Sequence, residues 1–209
     1  MTINPPTGEA IRARLREVAK ALFLEQGIQA TEMRQVASEA GLSRSTLYRY
    51  CSDKNQLIFQ VCTQVIIEFT EMSYRFDVVP GMTGFDKLCL FSRNMVRVLV
   101  EHPAIPKFLN EFDRLFAGDY PDIPEAQQYV TLMNRLMNRH AQFLFEGMAD
   151  GSIRKLERPL LSTSVLLNTC LSLAERLLPR DSHYREEHHA GSMEIIDEAL
   201  RILLESVKA

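Results

Sequence analysis

The chain has 209 residues, of which 46% are hydrophobic and 24% charged. That balance supports a buried core and excludes a wholly disordered chain. No apolar run approaches the roughly 18 residues needed to span a bilayer, and the opening MTINPPTGEAIRAR lacks the basic start and apolar stretch of a signal peptide. A cytoplasmic protein with no membrane partner is therefore expected. The net charge of -3 hides an asymmetry: residues 1–55 hold eight Lys/Arg against six Asp/Glu, and the rest holds 16 against 21. A mildly basic head on an acidic body allows contact with a polyanion at one end.

Nearly every segment has helical period. Ile11, Leu15, Val18, Ala19, Leu22 and Phe23 recur at spacings of three and four before Gly27, a stop signal. Thr31 reads as the cap of a short second helix running to Ala40. Gly41 ends it, and Ser43 caps a third helix to Tyr50. Ser52 or Asp53 caps a long fourth helix with the stripe Ile58, Val61, Val65, Phe69, Met72 and Phe76. The loop 77–84 leads to a fifth helix, from Phe85 to Glu101. Pro103 and Pro106 mark a sixth. Pro124 to Asp150 is a long seventh, stopped by Gly151. Pro159 opens an eighth to about Leu178, and Gly191 to Val207 is the ninth. No convincing period-two strand is present. The fold class is all-α, with about nine helices.

The four cysteines, Cys51, Cys62, Cys89 and Cys170, lie far apart and read as small buried side chains. His183, His188 and His189 do not have metal-ligand spacing, so no metal or other cofactor is expected. No Ser/His/Asp grouping, phosphate loop or paired-carboxylate signature is present, so an enzyme is not expected.

The stretch Thr31 to Tyr50 has the grammar of a helix-turn-helix. A glycine allows the left-handed turn, Leu42 follows it as an apolar plug, and Val36, Ala37, Ala40 and Leu47 form a small core. In such a unit the last helix enters the DNA major groove. It offers Arg44, Ser45, Thr46, Tyr48, Arg49 and Tyr50. Arginine suits guanine edges or phosphates, and hydroxyls suit phosphate oxygens.

From Ile11 to Leu57 the chain resembles the N-terminal signature of TetR-type transcriptional regulators. The resemblance rests on ATEMRQVASEAGLSRSTLYRYCSDKNQL: the Thr before helix two, Val-Ala, Ala-Gly-Leu-Ser, Thr-Leu-Tyr, an aromatic two residues later, and the Lys before helix four. The later Asp150 to Arg154 also resembles that family's break after helix seven. Cys51 and Asp53 depart from its usual residues. The resemblance implies a three-helix head (1–55) on a helical-bundle body (56–209) for ligand binding and dimerisation. It implies DNA contacts at Thr31, Arg34, Arg44, Ser45, Thr46, Tyr48, Arg49, Tyr50 and Lys54. Tyr48 and Lys54 would meet phosphates, and Arg44, Ser45 and Arg49 would read bases.

The ninth helix carries Met193, Ile196, Leu200, Leu203 and Val207 at heptad-like spacing, with Ile195, Ile202 and Leu204 off that seam. The eighth carries Leu160, Leu167, Cys170, Ala174 and Leu177. Two such helices from two chains make a four-helix interface, and the resemblance favours a homodimer through them. The resemblance also implies a small-molecule pocket. Its candidate lining is Met72, Phe76, Cys89, Arg93, Phe108, Phe112, Phe116, Tyr129, Met133, Met137, His140 and Asn168, in which Arg93, His140 and Asn168 supply polar groups. The leading reading is a ligand-released repressor that binds a palindromic operator in duplex DNA. A helical-bundle enzyme or carrier, or a cysteine-based redox regulator, are the alternatives.

Overall fold

The computed structural model describes residues 7–209. Residues 1–6, on which the reading of the amino terminus partly rests, lie outside the described residues. Ten α-helices form among the described residues: α1 (Gly8–Gln26), α2 (Met33–Glu39), α3 (Arg44–Tyr50), α4 (Lys54–Ser73), α5 (Gly84–Glu101), α6 (Ala104–Leu115), α7 (Pro124–Asp150), α8 (Pro159–Leu177), α9 (Asp181–His188) and α10 (Ser192–Glu205). The only strand-like pairing among them is a single bridge between Ile153 and Lys208. No described helix is long and apolar enough to cross a membrane.

The chain divides into two compact units. The first takes the chain through Ile67 together with Lys107–Leu132. The second takes Glu68–Pro106 and Met133–Ala209. Helices α4, α6 and α7 therefore each contribute residues to both.

In the first unit, Leu15, Ala19, Leu22 and Phe23 give α1 its buried stripe, and Phe23 stacks on Phe108 of α6 at 6.4 Å. A second group of rings surrounds Phe59 of α4. Phe116 lies 4.8 Å from it, Phe112 5.2 Å, Tyr120 5.4 Å and Tyr129 5.7 Å. Edge-to-face and tilted packing of this kind contributes beyond area burial.

In the second unit, α5 begins with a capping box in which Thr83 and Asp86 satisfy each other's backbone N–H groups. Two further donors at this helix start, Gly84 N and Phe85 N, are taken by Asp150 Oδ2 (2.7 Å) and Ser152 Oγ (3.1 Å) from the end of α7. Helix α4 stops at Ser73, short of the expected Phe76. The buried Asn94 amide of α5 explains the stop, because it donates to the carbonyls of Met72 and Ser73 at 3.0 and 2.8 Å and satisfies orphan acceptors of the last turn.

A second aromatic group lies beyond that helix end. Tyr74 packs against Phe76, Phe91, Phe143 and His140, and its hydroxyl hydrogen-bonds His140 Nδ1 at 3.0 Å. The Arg139 guanidinium covers the Tyr74 ring at 4.0 Å and pairs with Glu71. Burial, followed by the charge of Arg139, lowers the His140 pKa to about 4. The folded protein thus keeps this imidazole neutral down to that pH, whereas an unfolded chain takes up a proton near pH 6.5. Between those values the unfolded state binds more protons, so stability is full above about pH 6.5 and falls as the pH drops. Denaturant unfolding at pH 7 and pH 5 should show a loss of about 2 kcal/mol that His140→Phe removes. An identical pH dependence in the variant would contradict the assignment.

Candidate nucleic-acid interface

The turn between α2 and α3 is built by three local devices. Gly41 adopts φ +68°, which a residue without Cβ reaches without strain. Leu42 N donates to Ala37 O at 2.9 Å and Gly41 N to Ser38 O at 3.0 Å, closing the end of α2. Ser43 then caps α3, accepting from Thr46 N at 3.1 Å. Leu47 is buried, together with Val36, Ala37 and Ala40. One face of α3 is thereby fixed to the head, and the other is free.

That free face carries two arginines and no carboxylate. Arg44, Ser45 and Arg49 are exposed, Thr46 and Tyr50 are half-buried, and Tyr48 is 44% exposed. The Ser45 and Thr46 hydroxyls each hydrogen-bond Ser43 Oγ at 2.9 Å. Tyr50 lies between two guanidinium groups, that of Arg49 at 5.1 Å and that of Arg12 at 5.5 Å from its ring centre. Arg12 is a basic group on α1 that the motif alone did not single out.

Three residues outside α3 differ from their expected settings. Thr31 does not cap α2, whose cap position is Glu32. Its side chain is fully buried, its hydroxyl donating to Gly27 O at 2.8 Å and accepting from Gln26 Nε2 at 3.1 Å. Thr31 is therefore corrected from a DNA-facing residue to a packing one, because no surface remains for a phosphate. Arg34 is exposed but paired with Glu32 at 2.6 Å. Lys54 is half-buried and donates to Gln29 O at 3.4 Å, and desolvation lowers its pKa. The expected cap of α4 is Asp53, whose Oδ1 accepts from Asn55 N and Gln56 N.

The turn between α1 and α2 has a clamp that the sequence reading did not include. Glu111 of α6 accepts from two successive backbone groups, Ile28 N at 2.7 Å and Gln29 N at 2.8 Å. Gly27 leaves the room, since a Cβ there would lie 2.9 Å from the Glu111 carboxylate. A charged acceptor on two amides is a strong hydrogen-bonding arrangement. It holds the end of α1 in fixed register with α6 inside the first unit.

The candidate pocket residues fall in both units. Phe108, Phe112, Phe116 and Tyr129 belong to the aromatic packing of the first unit, and Phe76 and His140 to that of the second. Met72 and Met137 are half-buried, and Met133 is exposed. Cys89 and Arg93 line a shallow groove between α5 and α10 with Glu194, Asp197 and Glu198. Arg93 and Asn168 are exposed rather than inward-facing, and Asn168 donates to Ser164 of its own helix. Of the three polar groups, His140 alone is buried.

The expected dimer seam also needs correction. Cys170, Ala174, Leu177, Ile196 and Leu200 are buried within the single chain, where α8 and α10 pack together. Leu167, Met193, Leu203 and Val207 are half-buried, and Leu160 is exposed. The exposed apolar groups of these helices include Leu161, Val165 and Ile202.

Three of the four cysteines offer little to an oxidant, and Cys89 is half-buried. Cys51, Cys62 and Cys170 are buried. Burial pushes the Cys51 thiol up to about 11 and Cys170 up to about 12, and raises Cys62 as well. The thiolate is the reactive form.

Residues 15–61 match the family model for bacterial regulatory proteins of the tetR family. The HTH-type transcriptional repressor KstR2 of Mycolicibacterium smegmatis is 25% identical over 152 residues, covering 72% of this chain and 71% of that one. A bacterial regulatory protein in the tetR family from Rhodococcus RHA1 shares the fold at a TM-score of 0.67 and 15% identity, over 95% of this chain and 97% of the other. The transcriptional regulator FadR from Bacillus subtilis, solved in complex with stearoyl-CoA, does so at 0.64 and 15% identity, over 93% and 98%. These relatives are regulators rather than enzymes, and the helix-turn-helix carrying the match is the unit whose free face has just been described. Over residues 15–61 the chain carries a helix-turn-helix of the tetR family type, and it is a DNA-binding transcriptional regulator.

Proposed function

We propose that the regulator is a cytoplasmic repressor that binds a palindromic operator as a homodimer and is released by a small, largely apolar ligand. The observation that carries the DNA reading is the division of α3: Leu47 is locked into the head while Arg44, Ser45, Tyr48 and Arg49 face outward. A short cationic helix with that display fits the width of the major groove. Residues 1–55 act as the reading head and 56–209 as the ligand-binding and dimerisation part. Glu111 and Lys54 tie the reading head to α6 and α4. The repressor sign is supported by the name of the mycobacterial relative, and an acyl-bearing effector class by the stearoyl-CoA complex of FadR.

Within this reading, Arg44 and Arg49 read bases, with Ser45, and Tyr48 and Thr46 meet phosphates. Tyr50 supports Arg49 through its ring. Arg34 and Lys54 serve the backbone at the edge of the contact, each after giving up an existing partner.

Fragments selected from genomic DNA supply the operator for fluorescence anisotropy. Affinity should fall steeply with salt, as phosphate contacts require. Arg44→Ala should lose about 1–3 kcal/mol on the operator and much less on random DNA. Tyr48→Phe should weaken both about equally. Equal losses on both DNAs for the two variants would contradict the division of roles, and salt-independent binding would contradict the reading itself.

A further inference from the structure

The second unit contains a cavity of about 150 Å³ that lies outside both aromatic groups. Its wall is mainly apolar, with Leu88 of α5, Leu144 of α7, Leu166 of α8 and Leu203 of α10, and it includes the outward-facing Val165 and the hydroxyls of Ser162 and Ser206. Arg154, in the segment after α7, completes it. The wall is ordered by backbone pairing, because Arg154 N donates to Val207 O at 3.0 Å and Ala209 N to Ser152 O at 3.2 Å. The Arg154 side chain is held at one point, its Nε donating to Ser206 O at 2.7 Å. Its two terminal nitrogens have no protein acceptor among the described residues.

We propose that this cavity is a binding site for a small monocarboxylate with an apolar body about the size of a benzene ring. Three features fix the class. The pocket is half-open and mainly apolar, and its volume is that of a cavity able to accept a benzene-sized guest. It is too small for a drug-sized or long-chain ligand, whose pockets start near roughly 300 Å³. The unpaired fork of Arg154 suits a carboxylate, which guanidinium binds in a bidentate manner. A neutral guest would leave that fork to water, and a cation would meet like charge at the mouth. The site is separate from the aromatic residues considered for the effector, and it holds whether or not its occupancy alters DNA binding.

Methyl-labelled leucine spectra of the full-length protein test this directly, with benzoate as the probe and benzyl alcohol as its uncharged counterpart. Saturable shifts are expected at Leu88 and Leu144 with both compounds, and benzoate should bind more tightly. Arg154→Met should weaken benzoate about threefold to fivefold and leave benzyl alcohol unchanged, the size of a solvent-exposed ion pair. Leu203→Phe, at a half-buried position, should fill the space and abolish both titrations while the remaining methyl spectrum stays native. No saturable shift at Leu88 or Leu144 would overturn the proposal. So would a benzoate affinity that Arg154→Met leaves unchanged. Neither result would bear on operator binding, which is measured without either compound.

Discussion

Gly84→Ala is expected to destabilise the second unit by at least about 3 kcal/mol. A Cβ at Gly84 would overlap the backbone nitrogen of Gly147, and it would lie 2.7 Å from the Glu146 carbonyl carbon. Flexible side chains can swing away from such a contact, but these are backbone atoms of the last turn of α7. The start of α5 cannot retreat either, because Gly84 N and Phe85 N are bonded to Asp150 and Ser152. The same crossing depends on Gly147, where a Cβ would run into Ile153. For a chain of this size the loss corresponds to a fall in Tm of roughly 6–12 °C. Gly118→Ala is the control, since a Cβ there meets nothing within 4 Å, and its Tm should stay near the wild-type value. Calorimetric scans of the two variants decide the matter: a Gly84→Ala protein melting with the wild type would mean that the two helices do not approach this closely.

The sequence exposed what local chemistry governs and concealed what tertiary packing governs. The helix-turn-helix was legible because Gly41, Ser43 and Leu47 each act on neighbours within a few residues. The same holds for the breaks at Gly27 and Gly151, both at positive φ. Thr31 misled for the same reason. A threonine ahead of a helix reads as a cap, yet its hydroxyl turns back to Gly27 O, and nothing local distinguishes the two outcomes. Helix α9 was missed because DSHYREEH has no apolar stripe, and Tyr184 is its one buried residue. Gly84 read as loop composition, although its absent side chain is what allows the crossing. Glu111 and Asn94 carried a faint signal as polar residues on otherwise apolar helices, but their acceptor and donor roles lie in segments many residues away. The aromatic residues named as candidate pocket lining pack as groups of rings. Their sorting into two groups depends on which unit each helix segment joins, and spacing along one helix does not encode that.

The dimer seam poses the same difficulty with a functional consequence. Heptad spacing marks a face that wants a helical partner, but not whether that partner is in the same chain. In this fold the more regular seam, through Cys170, Ala174, Ile196 and Leu200, is used up between α8 and α10 of one chain. The set left for a second copy is the outer one, with Val165 at 48% and Ile202 at 55% exposure. Leu200→Glu should therefore unfold the body rather than separate subunits, because it places an unpaired carboxylate in the core. Val165→Glu combined with Ile202→Glu should instead leave the helical spectrum unchanged and yield a monomer by light scattering. Unpaired charges on the outer face repel across a two-fold axis, where each residue lies near its own symmetry mate or the other's. Such a monomer brings one α3 to the DNA and not two. A single short helix reads too few bases to hold a site against the excess of random DNA, so operator affinity should fall at least about a hundredfold, toward the level of non-specific binding. A folded double variant that remains dimeric would place the interface elsewhere, and a stable monomer that still binds the operator like the wild type would remove dimerisation from the account of DNA recognition.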